Sequence, residues 1–326
     1  MSNSIYEDKI YNQDRKMQFI LDNGYKEGTQ KIILRLFKVS QVVESELEKD
    51  LADFNREEIR RLGFLYAPKT EQSSNSNMTW LQKYIDWNVE EGLLQGVNPI
   101  ANVSAEWKKQ FVNSSLKRFW TDEEIRKIIS TRVNKRDGAI VDLLFQGVFG
   151  SGGSEMLNLQ IGSIDKVNNR LHLKDDNGLS RTIPVPEDTI DICLKAYDED
   201  TYHKKNGKPS PDVKADTFAI VENSYIIRPA KSRTKTINEA GVNIIYSALA
   251  RIAVEINEPN LTPLNIQNSG MIYYLKELYL DNNKTIVDEH FTMVLDRFNN
   301  KTDVSLYRMK ADFLNEETIL KVYPNL

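Results

Sequence analysis

Cysteine is almost missing from this chain: among 326 residues only Cys193 carries a thiol. One thiol excludes an intramolecular disulfide and a cysteine-based zinc site. Histidine is nearly as scarce, and His172, His203 and His290 stand apart, without metal-ligand spacing or a paired carboxylate motif. No metal and no cofactor is expected, and the three histidines read as surface or partly buried structural groups. No apolar run approaches the ~20 residues needed to cross a bilayer. The stretch MSNSIYEDKIYNQDRK has acidic residues and no apolar core, so it does not read as a secretory signal. A cytoplasmic protein without membrane contact is expected, and triplets such as Asn77-Met78-Thr79 then carry no glycan.

An excess of positive charge is also lacking. The net charge is −4, which argues mildly against nucleic acid, because phosphate binding draws its affinity from Lys and Arg. Placement matters more than the total. Between Asn223 and Asn238 the chain carries Arg228, Lys231, Arg233 and Lys235 and no acidic residue. On charge alone that run is equally a solvated loop or a phosphate contact.

What is there describes a folded, soluble protein: 40% apolar and 28% charged residues, with length enough for two domains. After a polar, loosely held start, Lys16–Asn23 reads as a short helix. Asn23-Gly24 turns the chain, and Thr29 opens a long periodic stretch. Its apolar positions Ile32, Ile33, Leu36, Phe37, Val43 and Leu47 share a face; the other is basic early (Lys31, Arg35, Lys38) and acidic later (Glu44, Glu46, Glu48). That order opposes the helix dipole, so the early cations are either a plain solvent face or serve another use. Asn55 caps a third helix, Arg56–Leu65. Pro68–Asn77 is expected to be a polar loop, and Met78–Leu93 a fourth helix ended by Gly96 and Asn98-Pro99.

Residues 101–117 read as a linker. Thr121 with Glu124 then forms a capping box, with Trp120 placed to staple onto Ile125. Asp137–Phe149 is a further helix, and Gly147–Leu159 (GVFGSGGSEMLNL) follows, with four glycines in seven residues. Beyond it, strands Ser163–Leu173 and Ser180–Val185 flank the turn Asp175-Asp176-Asn177-Gly178. A helix over Pro186–Ala196, a charged insert over Asp198–Asp216 and a strand over Thr217–Val221 come next. Helices over Asn238–Ile256, Thr262–Leu280, Val287–Phe298 and Val304–Leu314 complete the chain. Tyr273, Tyr274 and Tyr279 in one helix read as core and interface groups. No internal repeat is present.

The glycine stretch is not a Walker loop, which ends in Gly-Lys-Ser/Thr. Nor is it a dinucleotide fingerprint, since the preceding segment reads as helix and not as strand. Taken in order, the motifs resemble the tyrosine recombinase (phage integrase) family over nearly the whole chain. Asn98-Pro99 resembles the end of its core-binding domain. Phe119-Trp120-Thr121-Asp122-Glu123-Glu124 resembles the opening of its catalytic domain. Arg181-Thr182-Ile183-Pro184-Val185 resembles its hairpin strand, and Thr262-Pro263 the Thr-Pro before its His-x-x-Arg motif.

The resemblance implies a mostly α fold with a small β-sheet. A flexible stretch 1–15 precedes a helical, SAM-like core-binding domain 16–100, and after the linker 101–117 comes a mixed α/β catalytic-type domain 118–326. It also implies a tyrosine nucleophile and a cationic cage on the scissile phosphate, in which losing one preorganised donor can cost ~100–1000-fold. Here the cage is not kept. Gly152 stands where the first arginine would be, and Leu264-Asn265-Ile266-Gln267 replaces His-x-x-Arg. The hairpin lysine falls on Asp176 or on Lys174 two residues away. Asp296-Arg297-Phe298 is the nearest match, by spacing, to the later His motif, and Tyr307 lies where the nucleophile would be.

Binding outlives the cage, because such scaffolds hold double-stranded DNA largely through phosphates. The resemblance sets Lys31, Arg35, Lys38 and Lys83 on core-binding helices that face DNA, and Lys174, Arg228, Lys231, Arg233 and Lys235 on the other domain. Within the family the pattern resembles the integrase-like lysogeny repressors of the SPβ group of Bacillus phages. It implies an inactive recombinase scaffold acting on operator sites in a phage genome as a transcriptional repressor, nucleoid-associated in its bacterial host. A divergent active recombinase using Tyr307 and a protein-interaction module are the alternatives. A regulatory protein or peptide partner, and oligomers formed by exchanging Asn315–Leu326, are further expectations.

Overall fold

The computed structural model describes residues 10–112, 117–208, 215–231, 239–299 and 303–326. The chain divides into two compact units, Met1–Leu116 and Lys117–Leu326.

The first unit is all helix: α1 (Gln13–Asp22), α2 (Glu27–Leu47), α3 (Arg56–Leu65), α4 (Glu71–Glu90) and α5 (Ala105–Lys109). Its centre is aromatic, with Phe19 edge-on to Phe37, Tyr84 and Trp87 at 5.3–6.3 Å between centroids. Beside it lies a buried ion pair. Lys16 Nζ reaches Glu44 Oε2 at 2.6 Å, and Glu44 also accepts from Ser40 Oγ and the Leu51 N–H, both at 2.7 Å. Glu44 therefore does not belong to a solvated acidic face of α2; it is fully buried and ties α1 to α2.

Two expectations change here. The polar stretch Pro68–Asn77 is mostly helix, because Thr70 and Ser73 close a capping box in front of Glu71. The polar side chains inside that turn then find distant partners: Ser74 Oγ donates to Lys108 O at 2.5 Å, and Asn77 accepts from Arg35 at 2.9 Å. Residues 101–112 pack on this unit through Trp107 and Phe111. The Phe111 ring lies so close to α3 that a Cβ on Gly63 would meet it at 2.6 Å.

In the second unit the Thr121–Glu124 capping box starts α6 (Asp122–Ser130). It packs on α7 (Lys135–Phe145), a helix buried along its whole length. The glycine turn and a single turn, α8 (Ser154–Leu157), follow. An antiparallel sheet β1 (Ile164–Asp165), β2 (Arg170–Lys174), β3 (Ser180–Pro184) comes next, with Leu171 opposite Ile183 and Lys174 opposite Ser180. The single strand expected over Ser163–Leu173 is thus two. Asp165 bonds the Val167 and Asn168 N–H groups, and Asn169 takes a left-handed φ of 51°, which turns the chain back on itself.

Next come α9 (Glu187–Asp198), then β4 (Thr201–His203) paired with β5 (Thr217–Ala219), so the charged insert carries a strand of its own. The remaining helices are α10 (Asn243–Glu255), α11 (Pro263–Asp281), α12 (Asp288–Arg297), α13 (Asp303–Asp312) and α14 (Glu316–Val322). Contact between α11 and α7 is tight enough that a Cβ on Gly270 would sit 1.9 Å from Phe145 O. Helix α14 folds back on its own unit: Ile319 is fully buried, and Tyr279 Oη donates to Glu316 at 3.0 Å. None of the described helices is long and apolar enough to cross a membrane.

Candidate functional site

Four glycines shape the turn after α7, each with positive φ: Gly147 (89°), Gly150 (73°), Gly152 (61°) and Gly153 (88°). At Gly150 the need is steric as well, since a Cβ would lie 2.6 Å from Glu155 Cγ and 2.8 Å from Asp175 Oδ2. Gly152 is different: nothing lies within 4 Å of a Cβ placed there, so a side chain at this position has room.

Two carboxylates hold the turn in place. Asp175, in the β2–β3 turn, accepts from the Ser151 N–H at 2.8 Å and from Ser154 Oγ at 3.0 Å. Burial works against its ionisation, but the converging N–H and O–H donors outweigh it and hold the carboxyl below its ordinary range. Glu155 is 2% exposed and takes a bidentate pair from Arg181, Nε and Nη2 each at 2.6 Å. Arg181 also donates to Gly147 O at 2.8 Å and to Arg297 O. Arg297 in turn donates to Pro184 O at 3.0 Å and to Gln146 at 2.9 Å. Both guanidinium groups are therefore consumed by the protein's own acceptors.

In front of the turn lies a cavity of about 460 Å³. The glycine turn (Gly150, Ser151), the hairpin turn (Asp175, Asn177), α11 (Leu264, Gln267), and Phe298 and Met309 from the ends of α12 and α13 all line it. Segments more than a hundred residues apart in sequence thus meet at one place. Asp175 is the one ionisable group among the described residues of the lining. Leu264 is 65% exposed, and Gln267 turns its amide onto its own helix at Pro263 O. Tyr307 does not line the cavity; it stands 78% exposed on α13. Lys174 is exposed on β2, and Asp176 accepts from Asn158 at 2.8 Å. Among the described residues no group of three or more His, Cys, Asp or Glu side chains is placed to hold a metal ion.

On the first unit, α2 sets Lys31 and Arg35 one turn apart and exposed. Lys31 pairs with Glu27 one turn earlier at 2.6 Å, which offsets its place near the positive end of the helix. Through Asn77, Arg35 reaches α4, where Lys83 lies over the Trp80 ring at 4.7 Å and Trp80 meets Tyr25 edge-on. Lys38 is half-buried on the same helix.

Arg228 departs from the expectation. It is 6% exposed, and its guanidinium donates to Ala196 O, Tyr197 O and Glu199 O at the end of α9. Burial has made it a brace for the chain around β4, unavailable to a phosphate. Lys231 is exposed, while Arg233 and Lys235 lie outside the described residues. Sequence reasoning missed Arg181 and Glu155 as a pair, because their meeting depends on the sheet docking against the turn.

A helical unit followed by a mixed α/β unit is a fold shared with a solved recombinase structure. The structure of a lambda integrase dimer bound to a COC' core site matches it with a TM-score of 0.50 at 14% identity, over 90% of this chain and 75% of that one. The XerA recombinase matches with a TM-score of 0.43 at 13% identity, over 95% and 96% of the two chains. The chain belongs to the MrpR family: residues 119–324 match "MrpR, C-terminal catalytic domain" and residues 10–90 match "MrpR, N-terminal core-binding domain". A curated relative, the "SPbeta prophage-derived uncharacterized protein YopR" of Bacillus subtilis strain 168, is 27% identical over 96% of this chain and 97% of its own length.

Proposed function

We propose that this protein is a sequence-specific DNA-binding transcriptional regulator, a phage repressor that maintains lysogeny, on a recombinase scaffold that does not cut DNA. One observation carries the loss of cutting. The cavity at the glycine turn offers an ionised carboxylate, Asp175, and no cation among its described lining residues. A scissile phosphate there would meet repulsion where phosphoryl transfer needs positive charge. Arg181 and Arg297, the cations behind the turn, are already engaged.

Binding rests on other groups: Lys31, Arg35, Lys38 and Lys83 on the first unit, and Lys174, Lys231, Arg233 and Lys235 on the second. The lambda integrase match was obtained on a DNA core site, which supports double-stranded DNA as the ligand of this fold. The prophage origin of the YopR relative supports a role in the prophage state.

The test is an electrophoretic shift of fragmented phage DNA over a salt series. A retarded subset is expected, its affinity falling with salt at about 0.9 log units per log unit of salt for each phosphate neutralised. No retarded fragment at low salt refutes DNA binding. The exposed Tyr307 favours the second reading, an active recombinase. A covalent adduct on a nicked suicide substrate, abolished by Tyr307→Phe, would establish that reading instead.

A further inference from the structure

The cavity at the glycine turn has a size and a lining that suit a small organic molecule: about 460 Å³, largely apolar walls and a few polar groups. Phe149, Met271, Phe298 and Met309 supply the walls. Leu179 and Leu264 line it while reaching solvent, which puts them at its mouth. On α11 the lining residues Leu264, Gln267, Asn268 and Met271 are spaced i, i+3, i+4 and i+7, so they share one side of the helix.

One polar side chain on that side stands without a partner. Asn268 is 5% exposed, yet its amide bonds no described residue, and neither amide atom is sealed off from the cavity. Its neighbours on α11 are satisfied: Asn265 donates to Asn260 O at 2.9 Å, and Ser269 to Asn265 O at 2.7 Å. The other amides of the lining, Gln267, Asn177 and Asn299, each bond within the protein. A buried amide left unpaired costs free energy, and native structures hold few of them. Asp175 is saturated instead. Its Oδ2 accepts from the Ser151 N–H at 2.8 Å, and its Oδ1 from Ser154 Oγ at 3.0 Å and the Asn177 N–H at 3.2 Å. An anion in the cavity therefore meets a fixed carboxylate, and a cation finds both its oxygens already taken. Asn268 presents a carbonyl acceptor and an N–H donor side by side, the complement of another amide.

We propose that this cavity binds a neutral small molecule with an amide-type edge on an aromatic body. The ligand's N–H donates to Asn268 Oδ1, its carbonyl accepts from Asn268 Nδ2, and its ring lies between Phe149, Met271, Phe298 and Met309. The site requires neither DNA binding nor strand cleavage.

The experiment is an NMR titration of the full chain, labelled with carbon-13 at its seven methionine methyl groups. Benzamide is expected to shift Met271 and Met309 more than the other methionines and to saturate at millimolar concentration. Benzoate has the same shape but no donor, and it carries a charge of the same sign as Asp175; it should bind at least about tenfold more weakly. Asn268→Leu keeps the volume and removes the unpaired amide, so it should fold at least as stably as the parent. It should bind benzamide at least about tenfold more weakly. Folding of the variant is checked by circular dichroism, and if it does not fold, benzoate and the two methionines still decide. No saturable shift with benzamide, shifts centred away from Met271 and Met309, equal binding of benzoate, or unchanged affinity in folded Asn268→Leu would each overturn the proposal. The titration contains no DNA, so its failure leaves the repressor reading standing, and the reverse holds as well.

Discussion

Replacing Arg181 with alanine should loosen the whole glycine turn. The residue is 18% exposed on its side chain and Glu155 is 2% exposed, and the two are joined by a bidentate pair. Removing the guanidinium leaves a buried carboxylate with no countercharge, which costs about 3–5 kcal/mol. It also frees Gly147 O and Arg297 O from a shared donor. For a unit of this size such a loss lowers the melting temperature by roughly 6–20 °C. Since the two units need not unfold together, the reading is best taken locally, by hydrogen exchange at the amides of Ser151–Glu155.

A control separates the charge from the shape. Arg181→Met combined with Glu155→Gln removes the stranded charge while keeping much of the volume, so the double variant should be more stable than Arg181→Ala alone. If Arg181→Ala costs less than about 1 kcal/mol, the range of an exposed ion pair, the pair does not hold the turn, and the account of the site fails with it.

Gly270→Ala should disrupt the C-terminal unit, because its methyl group would stand 1.9 Å from Phe145 O and must push α11 off α7; loss of cooperative melting of that unit is the readout. Burial raises the Asp142 carboxyl to about 6 from 3.8, so the unfolded chain gives up this proton first. Stability then falls as pH rises through that window and stays lower above it, by about 3 kcal/mol in all. Asp142→Asn should accordingly be more stable than the parent at pH 7.5, with the difference gone below pH ~4, as chemical denaturation at both values will measure. Lys31→Ala with Arg35→Ala should weaken DNA binding and flatten the salt dependence by up to about 2 log units per log unit. Arg228→Ala should instead lower stability, since its guanidinium serves the backbone around Glu199.

The elements read correctly from the sequence are those whose signals are local. Thr121 and Glu124 announce α6, and Asn55 announces α3, because each cap lies within four residues of the groups it bonds. The first turns of α4 were hidden for the opposite reason. Ser73, Ser74, Asn75 and Asn77 favour loops when considered alone; Thr70 with Ser73 is a box without the usual Glu or Gln, and Lys108 O and Arg35, dozens of residues away, add the partners that make helix the better state. The same distance hid the pairing of Arg181 with Glu155, and the burial of Arg228 beneath α9. Asp142 lies inside α7 and carries no local signal of its surroundings. It faces a groove because α6 and α9, which wall that groove, pack on α7.

On the proposed reading, the departures from the recombinase motif need no folding to be seen, because they are residues absent at motif positions; their consequence does. At Gly152 the space for a side chain is open, so sterics alone do not keep an arginine out. An arginine there would adopt φ near 61° at a cost of roughly 1–2 kcal/mol. It would face a cavity whose charge is set by Asp175 and whose α11 wall is Leu264 and Gln267. One cation beside one fixed anion is far from a cage. Gly152→Arg is therefore expected to leave a nicked suicide substrate uncut and without covalent adduct. Cleavage restored by that single change would mean that Asp175 does not govern the field in the cavity, and the case against strand transfer would fall.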